Sequence, residues 1–363
     1  MLSAIDLGLI YALLALGVFL TFRILNFADL TVDASFVTGG GTAALCIIHG
    51  LSPWLATGAG FLAGAVAGLV TGLLHTKLKI DPLLASILNM LALYSINLRI
   101  MGAGNLSLLR VRTLFTPLQE ARLIGSWLSV LLLGLLALLA KLVLDWFLST
   151  DFGLAVQATG DNLGMAASLG VSTDWTKIVT LMLANGLVGL SGAVMAQYQG
   201  FIDIGSGTGL ILAGLASVII GNAILGTRFM FLATLGVVVG SVVYRLVIFF
   251  ALKWEFFRAQ DMKLISAVMV IAALVLSQSK TLRNSFSRLS PWRPKADLPE
   301  PMGILPTPGA PLTVAASPPT AGPGPLQSVH STPPVQPIAT APGPVGPIDP
   351  VVPDQPSPGP GEA

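Results

Sequence analysis

Ionisable and amide side chains are scarce in this chain, and the few that interrupt its apolar runs are the ones able to do chemistry. Asp29 and Asp33 lie four residues apart, so on a helix they share one face, with Asn26 and Thr31 beside them. Two carboxylates at that spacing, at the start of an apolar segment, can meet an ammonium group, cap the helix or be absorbed into a buried network. Asn89 and Asn97, with Ser86 near the same face, form a second polar stripe, and Asn185 and Gln197 form a third. Each stripe suits interhelical hydrogen bonding. Gathered around one axis, the three would line a polar passage. The row Gly186, Gly189, Gly192 reads as packing rather than chemistry.

Other chemistries find no residues here. His49, His75 and His330 are far apart in sequence, and the single Cys46 sits in an apolar run, so neither a metal cluster nor a disulfide framework is expected. No Gly-x-x-x-x-Gly-Lys-Ser/Thr phosphate loop occurs, nor any Gly-Lys pair, so the chain is not expected to bind or hydrolyse ATP itself. A formal charge of +2 without a dense Lys/Arg block excludes a nucleic-acid-binding surface. The chain reads as a non-enzyme.

One polar stretch has a local design. Residues 149–173 are too polar to span a bilayer and too apolar for a plain solvated loop. Gly160-Asp161-Asn162 offers helix-capping chemistry, Met165, Ala166 and Leu169 then fall at i, i+1 and i+4, and Gly170 follows as a C-cap. This predicts a short helix from Gly160 to Gly170 with a small sticky face, suited to a groove on a partner or to lying on the bilayer surface.

The elements that must hold these residues are membrane helices. The chain is 54% hydrophobic and 10% charged, against roughly 25% charged in soluble domains. Nine apolar segments are expected, near 3–22, 30–49, 54–76, 82–102, 124–148, 174–197, 209–225, 229–251 and 263–279, most of them long enough to cross a bilayer. The segment at 209–225 is short and bounded by glycines, which predicts a half-helix or a kink. No basic n-region precedes the first segment, which reads as a retained helix rather than a signal peptide. The fold class is therefore an all-α integral membrane protein, a polytopic bundle of eight or nine spans over residues 1–280. A basic juxtamembrane segment follows at 281–295, and a disordered Pro-rich tail at 296–363. From Ser290 onward the chain holds 22 of its 25 prolines, and such a composition cannot offset its ordering entropy. Lys and Arg in short loops place 23–29, 75–81, 149–173, 226–228 and the Lys280–Lys295 cluster in the cytoplasm, with the N-terminus outside.

Three segments carry a family resemblance. Gln157-Ala158-Thr-Gly160-Asp161-Asn162-Leu-Gly-Met165-Ala166-Ala-Ser-Leu169-Gly170 resembles the cytoplasmic loop of the branched-chain amino acid and ribose permease superfamily of bacterial ABC importers, with Gln157 where that family usually has Arg. Asn26-Phe-Ala-Asp29-Leu-Thr31-Val-Asp33 resembles the start of the family's second helix, with Asp33 in place of the usual Gly. Leu212-Ala-Gly-Leu-Ala-Ser-Val-Ile-Ile-Gly221-Asn resembles its apolar, Gly-ended segment late in the chain. Asp29–Asp33 and Leu73-Leu-His-Thr-Lys77-Leu-Lys-Ile bring the resemblance nearest to permeases of tryptophan/tyrosine-type importers.

The resemblance covers about 280 residues and leaves out the tail. It implies that 149–173 couples to two ATP-binding subunits, which use ATP and Mg²⁺, while this chain binds no cofactor. It also implies a second permease copy, an extracytoplasmic solute-binding protein, and passage of a small polar solute, an amino acid of aromatic or branched-chain type. Asn26, Asp29, Thr31, Asp33, Asn89, Asn97, Asn185 and Gln197 are the candidate passage residues. An ion-coupled secondary transporter and a membrane scaffold using the Pro-rich tail stay open as other readings of the residues.

Overall fold

The first span begins at Leu2 and, Asp6 apart, is apolar on every side, as a helix buried nearly all round must be. Here α1 (Leu2–Val18) runs into a π-helical turn, Phe19–Ile24, and the two together cross the bundle interior. The computed structural model describes residues 1–109, 111–121, 125–226, 229–253, 267, 268 and 271. The chain divides into two units, Met1–Arg293 and Pro294–Ala363, and all described residues belong to the first.

Local signals start and stop the helices that follow. The Asp29 carboxylate accepts from Thr31 N at the head of α2 (Thr31–Ile48). Proline opens both α3 (Pro53–Thr76) and α4 (Pro82–Met101), where its fixed φ suits a first turn and its missing N–H costs nothing. Asp81 caps α4 through Leu83 N and Leu84 N, and Gly102 closes it at φ 69°. A short strand β1 (Asn105–Ser107) and a helical turn α5 (Thr116–Glu120) lead to α6 (Trp127–Ser149), capped by Ser126. Two small helices, α7 (Asp151–Asp161) and α8 (Leu163–Ser168), precede the long α9 (Thr173–Gln199). Strand β2 (Phe201–Asp203) pairs antiparallel with β1, and a 3₁₀ turn, Ile204–Gly207, leads into α10 (Leu210–Leu225) and then α11 (Met230–Lys253).

Eight helices among the described residues are long and apolar enough to cross a membrane, and each begins and ends within a few residues of a segment expected from hydropathy. The ninth expected segment, 263–279, lies outside the described residues but for three isolated positions. The Lys280–Lys295 cluster and the Pro-rich tail lie wholly outside them.

Helix α9 is the hub, packing against α1, α2 and α3. Its glycine row makes this possible: a Cβ at Gly192 would stand 1.9 Å from the Phe36 carbonyl oxygen of α2, and Gly189 meets the Gly60–Gly64 backbone of α3. In lipid such close backbone approach replaces the hydrophobic drive that water would supply. Around the hub, α3, α4, α6 and α11 turn large apolar side chains outward, among them Leu91, Leu131, Leu135 and Phe250, as a lipid-facing surface requires.

The segment leading to α10 does not stay at the surface. Ile202 packs on Gly40, while the Asp33 carboxylate accepts from Gly209 N and Ile211 N at 2.7 and 2.9 Å. Gly40 and Asp33 are seven residues apart on α2, about 10 Å along its axis. The chain therefore descends into the bundle before α10 begins. With 16 residues, α10 covers about 24 Å, less than the roughly 30 Å hydrocarbon core. The short segment expected from its glycine boundaries is a broken one: a 3₁₀ turn, an interruption at Thr208–Gly209, and a helix whose N-terminus is held by an acid from another helix.

Candidate functional site

Two regions gather the polar side chains. The first is a network inside the bundle. Ser35 Oγ donates to Asn185 Oδ1 at 2.7 Å, and Asn185 Nδ2 donates to Asp29 Oδ2 at 2.7 Å. Asp29 Oδ1 accepts from Thr31 N, the Thr31 and Thr71 hydroxyls share a 2.8 Å bond, and Asn89 Nδ2 donates to Thr71 Oγ1 at 2.8 Å and to Ala67 O. Parts of all three expected polar stripes thus join into one chain of hydrogen bonds across α2, α3, α4 and α9. Every member of it is buried. Burial raises the Asp29 carboxyl above its ordinary range, against the opposing effect of the bonds from Asn185 and Thr31.

The remaining passage candidates stand apart from this network. Asn97 Nδ2 donates to Ala34 O at 3.3 Å. Gln197 bridges Thr57 Oγ1 and Leu114 N toward the β1–β2 end. Asn26 is exposed, at φ 53° in the turn after the first span. Asp33 anchors α10 through the two amides described above.

The second region is the loop of residues 149–173. It holds two helices where one was expected from Gly160 to Gly170. Gly160 and Asp161 belong to α7, and Asn162 alone supplies the cap of α8, its Oδ1 accepting from Met165 N at 3.0 Å. The role of Gly160 is packing: a Cβ there would stand 1.8 Å from the Ile24 carbonyl oxygen, so α7 rests directly on the end of the first span. Ala158 lies one turn inside α7, and Val156 and Thr159 point inward, Thr159 Oγ1 bonding Thr176 Oγ1 at 3.1 Å. Nor do Met165, Ala166 and Leu169 share one surface. Ala166 is 1% exposed, whereas Met165 and Leu169 are 60% and 70% exposed. The outward apolar side is carried by Met165 and Leu169, four residues apart, and Leu163, which was not among the expected residues, is exposed as well but on another side of the helix. Gly170, at φ 84°, ends the loop. The Gln157 amide donates to Leu148 O and Gly153 O, so it ties the loop to α6 and offers no ionic contact.

Several charges within the spans were missed. On α6, Lys141 is fully buried, ion-paired with Asp145 at 2.5 Å, and its Nζ lies 2.9 Å from the centre of the Phe231 ring. The contact is an ion pair rather than a directed hydrogen bond, since Lys141 Nζ and Asp145 Oδ2 have no hydrogen-bond partner. Asp145 also accepts from Thr234 Oγ1, so the pair ties α6 to α11. Asp6 is fully buried and accepts from Ser129 and Tyr198. The Arg245 guanidinium lies 3.7 Å from the centre of the Tyr11 ring, which stacks on Phe36. The opposite charges at i, i+4 in the span at 124–148 were a readable signal for the first of these.

These features, a glycine-packed bundle of eight membrane-length helices among the described residues, a broken late helix and a two-helix loop, are those of a polytopic membrane protein. Residues 1–274 match the family described as branched-chain amino acid transport system, permease component, and the chain belongs to that family. It is the membrane-spanning permease of an ABC importer, a transport subunit rather than an enzyme, and a multi-pass protein of the inner membrane. The chain is 39% identical over 291 residues to the tyrosine transport system permease protein of Clostridioides difficile, which covers 80% of this chain and 95% of that relative. It is 33% identical over 225 residues to an uncharacterized protein of Rickettsia prowazekii, covering 62% of this chain and 77% of that one. It is 33% identical over 196 residues to the autoinducer 2 import system permease protein LsrC of Yersinia pseudotuberculosis, covering 53% and 50%. No solved structure matches the chain at a significant level.

Proposed function

We propose that this permease carries a free amino acid of aromatic or branched-chain type into the cytoplasm. The observation that supports this most is the 39% identity that extends over 95% of a tyrosine transport system permease. In the proposed assembly, two ATP-binding subunits dock on residues 149–173, two permease copies form the translocating unit, and a separate extracytoplasmic protein delivers the solute. ATP and Mg²⁺ are used by the docked subunits and not by this chain. The exposed Met165 of α8 and Leu169 at its C-cap are the contact offered to each ATP-binding subunit, a small apolar face of the kind that fits a groove.

The test is uptake of labelled L-tyrosine, L-tryptophan, L-leucine and D-ribose by the complete transporter in proteoliposomes, with and without ATP. ATP-dependent uptake of one or more of the amino acids, and not of ribose, is the expected result. Uptake of ribose alone, or uptake driven by an ion gradient without ATP, would overturn the reading.

A further inference from the structure

The end of the first span, helix α7 and the start of α11 line a half-open cavity of about 230 Å³, at whose mouth Arg23 and Asp161 are exposed. This is below the roughly 300 Å³ at which pockets for drug-sized ligands begin, so it suits one small metabolite. Its apolar side is formed by Phe19, Ile24, Met230 and Ala233, while Arg23 and Asp161 bring one charge of each sign to the same space. The two are not paired with each other, since the ion pair found among the described residues is Lys141–Asp145. The third polar contributor, Gln157, has its amide N–H groups committed to Leu148 O and Gly153 O, which leaves only its carbonyl oxygen to accept from an occupant.

A cation and an anion with no ion-pair partner among the described residues, beside the apolar edge offered chiefly by Met230, match the chemistry of a zwitterion with an apolar or aromatic side chain. A simple anion would find Asp161 repulsive, and a simple cation would find Arg23 so. The placement is distinctive as well. One wall is the π-helical turn Phe19–Ile24, a geometry that recurs at functional sites, and α7 rests on that same turn through Gly160 and Ile24. An occupant would therefore touch the first span, the coupling loop and the last described span at once, and would resist their relative movement.

We propose that this cavity is a regulatory site, on the cytoplasmic side, for a free apolar or aromatic L-amino acid, whose carboxylate meets Arg23 and whose ammonium meets Asp161, and that its occupation slows import. The inference rests on the amino-acid reading above for the identity of the transported solute. It makes the product of transport its own inhibitor: solute accumulated inside holds the coupling loop against the first span.

Two measurements on the complete transporter test it. The first is equilibrium binding of radiolabelled L-tyrosine, with L-tryptophan and L-leucine in parallel, in the absence of the solute-binding protein. Saturable binding to the wild type is expected, weakened about tenfold or more by Arg23→Gln and by Asp161→Asn, and removed by Met230→Trp, which fills the apolar side. The second is uptake into vesicles preloaded with the same amino acid. Preloading should slow the initial rate several-fold for the wild type and leave Arg23→Gln unaffected, with equal rates into empty vesicles. Failure of the solute reading shows separately, as no amino-acid uptake into empty vesicles, and the binding measurement still decides the site. No saturable binding, binding indifferent to Arg23→Gln, or binding that needs Arg23 but survives Asp161→Asn (an anion site) each overturns the proposal. So does uptake that ignores preloading.

Discussion

A buried polar side chain in a membrane bundle is explained by its partners, and here the partners lie far away in sequence. Asn185 joins Ser35 and Asp29 from 150 and 156 residues along the chain. The residue types were legible, because amides and carboxylates stand out in apolar runs. The pairing was not, because no local pattern encodes it. Removing Asn185 should show what the network is worth. Asn185→Ala leaves Asp29 Oδ2 and Ser35 Oγ without this partner, and is expected to lower stability by about 1–3 kcal/mol, read as a lower melting temperature in detergent. Unchanged melting would mean that water replaces the amide. Asp33 separates two roles more sharply. Its two oxygens each accept a backbone N–H at the start of α10, and an asparagine can accept only one of them, because its NH₂ group is itself a donor. Asp33→Asn should therefore loosen α10 and lower the melting temperature together with uptake. Normal melting with impaired uptake would instead assign the carboxylate to the passage.

At the scale of the element, the long helices were readable and the short ones were not. Span length, Pro at the first turn and Gly at the end set the limits of α3, α4 and α9 by local rules. The loop of residues 149–173 obeys a tertiary rule: Gly160 is small because Ile24 lies against it, not because a helix begins there. The division into α7 and α8 follows, and it changes which residues can meet an ATP-binding subunit. Leu169→Glu and Met165→Glu place a charge on the exposed face. They are expected to leave the permease folded while abolishing co-purification with the ATP-binding subunit and the hydrolysis it supports. Ala166→Glu puts the charge into a site that is 1% exposed and should instead lower the yield of folded protein, since an unpaired charge there is buried. Should Leu169→Glu retain full coupled hydrolysis, α8 is not the docking element.

At the scale of the whole molecule, the contacts divide the loops into two sets whose sidedness must be shared. On one side, α7 lies on Ile24, and Lys177 Nζ lies 3.2 Å from His75 Nε2, whose ring bonds Ile80 O through Nδ1. These contacts bring the turn after the first span, the 77–81 turn and the α7–α8 loop to one face. On the other, β1 pairs with β2, joining the α4–α6 connection to the α9–α10 connection. Arg23, Lys77 and Lys79 lie on the first face, and the orientation expected from the sequence, which rests on the Lys280–Lys295 cluster, assigns that face to the cytoplasm. Because the faces are internally tied, two labelled positions decide the orientation of all eight spans. In a Cys46→Ser background, which removes the one cysteine, a cysteine at Leu169 should react with a membrane-impermeant maleimide only in inside-out vesicles. A cysteine at Trp127, 75% exposed at the opposite end of α6, should react only on intact cells. The reversed pattern would invert the whole assignment. It would also move the Arg23–Asp161 cavity to the outer face, where accumulated product could not reach it. Labelling of both positions from one side would break the tie between them and contradict a single crossing by α6.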